Sequence, residues 1–133
     1  MSRPEVEDLF RKLFKSGDRL QRLPKNPREL EIVLALAASV MDPRAEYSEP
    51  ELNEILAEWM SGFTNPRRLD HVTLRRFMVD YAFVLRDTPG TSYRSNQAVI
   101  SAAIHPDARS VQPHLIYESA VRERALRRRR APG

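Results

Sequence analysis

The stretch from Leu30 to Met41 limits the possible folds of this chain most, because it is apolar around almost its whole circumference. Leu30, Ile32, Val33, Leu34, Leu36 and Val40 leave little polar face at helical spacing, and a helix of that kind has to be covered on several sides. Other elements must therefore wrap around it. Asn26 supplies an N-cap oxygen, Pro27 the preset φ of the first helical position and Glu29 an acid in the first turn, so the helix starts there. Pro43 ends it, since the residue before a proline is pushed out of helical geometry.

Amphipathic segments on either side are available to do the wrapping. Ser2 with Glu5 has the spacing of a capping box, and Val6, Leu9, Phe10, Leu13 and Phe14 then recur at helical spacing up to Gly17. That stripe can cover the core or meet a second copy, which would make a homodimer through the N-terminal helix. A basic connector runs from Arg19 to Lys25. Further on, Ser48 and Glu51 form a second capping box, with Tyr47 placed to staple onto Leu52; Leu52, Ile55, Leu56, Trp59 and Phe63 line one face up to Gly62 and beyond. The outside of this helix is acidic.

Thr64 to Leu69 contains Asn65 and Pro66 and reads as a loop, after which Asp70 caps a helix running to about Ala82. Leu74, Phe77, Met78 and Tyr81 should face the core, while Thr73, Arg75, Arg76 and Asp80 project elsewhere. The period then changes to two. Phe83-Val84-Leu85-Arg86 and Thr91-Ser92-Tyr93-Arg94 flank Asp87-Thr88-Pro89-Gly90, which predicts a β-hairpin. From Gln97 to Pro113 a mildly apolar patch, Ala98 to Ile104, precedes a polar linker with no clear period. A last helix starts near Pro113 and runs through Tyr117 and Val121 into Arg127-Arg128-Arg129-Arg130.

Two helices joined by a loop, a helix bearing arginines and then a hairpin match a winged helix-turn-helix, with the hairpin as its wing. The expected fold is mainly α with a small β-hairpin, a winged helix-turn-helix-like domain at 18–96. An amphipathic helix at 1–17 precedes it, and a linker with a basic helix at 97–133 follows.

Several function classes are disfavoured at once. The chain has no cysteine, which removes disulfides, thiolate metal sites and thiol nucleophiles and makes a reducing cytoplasm the expected compartment. No apolar run approaches the roughly 20 residues needed to cross a bilayer. His71, His105 and His114 lack metal-ligand spacing, and four glycines leave little from which to build a phosphate-cradling loop. No nucleophile elbow or pair of carboxylates in an apolar setting appears, so the reading is of a non-enzyme with no cofactor and no metal. Charge is unevenly spread. Residues 43–66 hold five acids against one base, whereas 67–96 hold six bases against three acids and 97–133 seven against three. A basic side on the second half favours a polyanion.

Leu23-Pro24-Lys25, then Tyr47-Ser48-Glu49 with Glu51, Leu52, Asn53 and Leu56, then Leu74-Arg75-Arg76 with Val79-Asp80, then Arg86, Gly90 and Tyr93 together resemble the bacterial domain of unknown function DUF2087, over about Leu20 to Arg94. Members of that family stand alone or are joined to helix-turn-helix transcriptional regulators, so the resemblance implies a role connected with transcription. The chain departs from the family pattern in a longer Thr64–Leu69 loop and in Ala82, where glycine is usual. With no separate N-terminal DNA-binding domain, any DNA contact must come from this domain itself.

The expected function is that of a DNA-binding transcriptional regulator or accessory factor. The arginine-bearing helix enters the major groove with Thr73, Arg75 and Arg76, the wing arginines Arg86 and Arg94 take phosphates, and Arg127, Arg128, Arg129 and Arg130 add salt-sensitive affinity. Within the fold, Arg75 pairs with Asp80 or with Glu51, Glu54 or Glu58 if it is structural, and Asn53 then hydrogen-bonds nearby backbone. The alternative function is a protein-interaction or dimerisation module of winged-helix shape without DNA contact.

Overall fold

The computed structural model describes residues 1–89 and 91–130. The all-apolar segment forms α2 (Pro27–Ala38), in which every residue from Ile32 to Ala38 is buried. The Asn26 side-chain oxygen accepts from the backbone N–H groups of Arg28 and Glu29 at 3.0 and 3.2 Å, two donors that a first turn leaves open. The helix stops at Ala38, short of the end of the apolar run, so Val40 lies beyond it and is exposed. Around it stand α1 (Arg3–Leu13), α3 (Glu49–Ser61), α4 (His71–Asp80), α5 (Gln97–Ala103) and α6 (Pro113–Arg130), with the hairpin strands β1 (Val84–Arg86) and β2 (Tyr93–Ser95) after α4. α2 packs on α4 and α5, α3 on α4, and α1 on α6. The result is the expected mainly helical, winged-helix-like layout with one antiparallel hairpin.

Val6, Leu9, Phe10 and Phe14 are all buried in the one core cluster. Of the two outlets open to that stripe, these four residues have taken the monomer's own core. The segment with no clear period, 97–112, is also ordered. α5 buries Ile100 and Ala103, a 3-10 turn at Pro106–Ala108 buries Ala108, and the Arg109 guanidinium donates to Gln97 Oε1 at 2.6 Å and Ser101 Oγ at 2.8 Å. A seven-residue helix with two inward positions is too short to display a period.

The wing is anchored twice. In the β1–β2 ladder Val84 faces Ser95, Leu85 faces Arg94 and Arg86 faces Tyr93. Tyr47 and Tyr93 then exchange backbone hydrogen bonds of 2.8 Å in both directions, so the residue that leads into α3 adds a third, one-residue strand beside β2. β1 begins one residue later than the sequence pattern and β2 two residues later. The Asp87 carboxylate accepts from the N–H groups of Thr91 at 2.7 Å and Ser92 at 3.0 Å, which draws those two residues into the turn. Gly90, expected in that turn, lies outside the described residues.

α4 ends at Asp80, earlier than expected, and the reason is local. The Phe83 N–H reaches the Met78 carbonyl at 2.9 Å and the Ala82 N–H reaches Val79 at 3.1 Å, the two bonds of a Schellman turn. Such a turn needs a left-handed residue at its corner, and Ala82 sits there with φ 62°. Tyr81, expected in the core, becomes the cap residue and is 41% exposed, its ring stacked on half-buried Phe77. An L-residue in this conformation costs roughly 1–2 kcal/mol, and glycine loses about 0.4–1 kcal/mol more chain entropy on folding than alanine. Ala82→Gly should therefore raise stability by about 1 kcal/mol, read as a higher urea midpoint at unchanged slope. A lower midpoint would show that the corner is not strained.

The helix starts are carboxylate devices. Glu5 accepts from the Ser2 hydroxyl and backbone at 2.9 and 3.2 Å, Glu51 and Ser48 satisfy each other's backbone N–H groups at 3.0 and 3.2 Å, and Asp70 accepts from the Thr73 N–H at 2.8 Å. These bonds hold the Glu5 and Glu51 carboxyls below the usual glutamate value of 4.5, and the Asp70 carboxyl below the usual aspartate value of 3.8. The Ser2 hydroxyl is the main cause for Glu5, the Ser48 backbone for Glu51 and the Thr73 backbone for Asp70. A depressed folded pKa gives stability that is fully present above the unfolded pKa and is lost as pH falls through the folded one. The urea midpoint should therefore hold at neutral pH and fall once pH drops below those usual values. Ser48→Ala should flatten part of that decline.

Candidate nucleic-acid interface

Leu74 and Met78 turn one side of α4 into the core, so the opposite side is fixed by helical geometry. Val72, Thr73, Arg76 and Asp80 occupy that outer stripe, and all four are exposed. Among the described residues Arg76 has no ion-pair or hydrogen-bond partner, so its guanidinium fork is available. The Asp70 cap fixes the first turn from which Thr73 projects.

Arg75, one position back, has a different fate. Its guanidinium donates to Asn53 Oδ1 and pairs with Glu49 at 2.9 Å, and the side chain is only 16% exposed. Arg75 thus clamps α4 to the first half of α3. The partners differ from the expected Asp80, Glu51, Glu54 or Glu58, because Arg75 lies on the flank of α4 that faces α3, whereas those three glutamates line the solvent side of α3 and are exposed. Asn53 is likewise taken by Arg75 and not by backbone.

The wing arginines are both exposed, but they do not share a face. Side chains alternate along a strand, and the register places Arg86 on the side of buried Tyr93 and Arg94 on the side of Leu85. At the C-terminal end of α6, Arg127 pairs loosely with Glu123 at 3.7 Å, both being exposed, and Arg128, Arg129 and Arg130 are exposed. Arg67 and Arg68, in the loop leading into α4, are two exposed cations that the sequence reading passed over. Their signal was the Asn65-Pro66 turn, whose Asn65 Oδ1 accepts from the Arg67 N–H at 3.1 Å. Tyr93 is buried, and the Tyr47 hydroxyl accepts from the Asp42 N–H at 2.8 Å, so both tyrosines serve the fold.

Two open grooves flank α6. One, of about 610 Å³, lies between it and α1 over Phe14 and Ile116; the other, of about 780 Å³, lies beside Trp59, Ile55 and His114. Among the described residues no group of three or more His, Asp or Glu side chains is placed to hold a metal ion, and no helix is long and apolar enough to cross a membrane. No curated protein and no solved structure matches the chain. Residues 19–95, more than half of the sequence and the part holding α2, α3, α4 and the wing, match the family described as an uncharacterised protein conserved in bacteria, and the chain belongs to that family, DUF2087.

Proposed function

We propose that this protein is a non-enzymatic, cytoplasmic winged-helix DNA-binding protein that acts in transcription regulation, with α4 in the major groove. The single observation that carries the reading is Arg76. It is unpartnered and exposed on the outer stripe of α4, one turn after Thr73. Arginine offers two parallel donors that suit the O6 and N7 acceptors of guanine, and a threonine methyl suits thymine. Arg67 and Arg68 before the helix, Arg94 and Arg86 on the wing and Arg127 to Arg130 on α6 are then phosphate contacts, which position the protein without reading sequence. With Arg86 and Arg94 on opposite faces of the ribbon, at most one of them meets a given phosphate strand.

Fluorescence anisotropy with a mixed-sequence labelled duplex tests this. Affinity should fall linearly with salt on logarithmic axes, and Arg76→Ala should weaken binding roughly tenfold, in line with a base contact worth about 1–3 kcal/mol. No binding at low salt rejects the reading. A second reading rests on the ridge of Glu51, Glu54 and Glu58 along α3, which repels DNA and suits a basic protein partner instead. It gains if duplexes fail to bind while a basic peptide binds and is released by salt.

A further inference from the structure

All ten residues from Val121 to Arg130 are exposed although they continue α6. A helical segment this short is marginal by itself in water, so its outward face calls for a partner. Ile116, Tyr117 and Ala120 pack against the core, which leaves the opposite side of α6 to solvent. That side carries Leu115, Glu118, Arg122 and Leu126, spaced by three, four and four residues and thus on one stripe. Leu115 and Leu126 are 49% and 48% exposed. Among the described residues Glu118 and Arg122 have no ion-pair partner, and Arg122 makes one hydrogen bond, to Ser119 Oγ at 3.2 Å.

The stripe is self-complementary in one direction only. Leu115 and Leu126 lie equally far on either side of the point between Ala120 and Val121, and Glu118 and Arg122 lie equally far on either side of Ala120. A second copy laid antiparallel over this stripe brings Leu115 onto Leu126 and Glu118 onto Arg122 in registers that differ by one residue, about 1.5 Å along the axis, which flexible side chains span, and each contact occurs twice, as a closed two-fold interface requires. Parallel pairing sets Glu118 against Glu118 and Arg122 against Arg122 and is repelled.

We infer that the outward stripe of α6 is a homodimer interface, in which two copies pair antiparallel through Leu115 with Leu126 and Glu118 with Arg122. The contact is small and charged, so it is weak and loosened by salt. It does not depend on DNA binding, because Arg124, Arg127, Arg128 and Arg130 lie on other sides of the helix.

The cysteine-free chain makes the register directly measurable. Leu115→Cys and Leu126→Cys, mixed and mildly oxidised, should cross-link to a dimer much faster than either variant alone. In sedimentation equilibrium at low salt, Glu118→Arg or Arg122→Glu alone should give monomer, and the double swap should restore a concentration-dependent dimer. A wild-type chain that stays monomeric at every concentration, a Leu126→Cys variant that cross-links with itself as fast as the mixture, or a double swap that stays monomeric would each overturn the inference.

Discussion

Phe63→Ala should lower the unfolding free energy by about 3–5 kcal/mol, the largest single loss expected outside α2. Phe63 is 1% exposed and stands where three parts of the chain meet. Its ring meets Phe10 at 6.2 Å, Phe14 at 6.0 Å and Trp59 at 4.9 Å, all edge-on, and Phe14 in turn meets Tyr117 of α6 at 5.4 Å. Edge-on ring pairs add about 0.5–1.5 kcal/mol each beyond buried area. Gly62 beside it allows the close approach of α6, since a Cβ there would lie 2.5 Å from His114 Cβ. Removing the Phe63 ring thus loosens α1 and α6 from the end of α3 together, and shrinkage at this point cannot be relieved by one helix moving alone. Urea unfolding followed by the fluorescence of the single tryptophan, Trp59, is the measurement. A loss below about 1 kcal/mol, of the size expected for an ordinary surface change, would mean that the aromatic cluster does not join these helices.

Arg75→Ala should cost about 2 kcal/mol of stability, the scale of a partly buried hydrogen bond to a charged group, because Asn53 loses its donor and Glu49 its cation. Most of that comes from the Asn53 bond, since Glu49 is half exposed and screened. Arg75→Lys should recover only part of it, as a single ammonium cannot reproduce a planar fork between two acceptors. The same variant separates structure from recognition. If DNA is bound, Arg75→Ala weakens it by loosening α4, with the slope against salt unchanged, whereas loss of a phosphate contact such as Arg67 reduces that slope by about one. A stable Arg75→Ala protein whose salt slope falls by one would move Arg75 from the clamp to the interface.

The sequence alone determined where α1 to α4 begin and which way α1 and α3 face. Asn26, Ser48 and Asp70 act within three residues of themselves, so their caps are readable without a fold, and the apolar circumference of Leu30 to Met41 could only belong to a central helix. Strong periods likewise placed the α1 stripe and the inner sides of α3 and α4. Only the tertiary structure decided the partners. Arg75 and Arg76 are adjacent and chemically identical, yet one clamps α3 and the other is free, because successive helical positions differ by about 100° in direction and only the location of α3 says which direction is occupied. The two faces taken by Arg86 and Arg94 followed from the ladder register, and the fate of the α1 stripe from the arrival of Phe63 and Tyr117, residues far away in the chain. Local hydrogen bonds and helical period are properties of a few neighbouring residues, whereas the choice among distant charges and rings depends on how the whole chain closes.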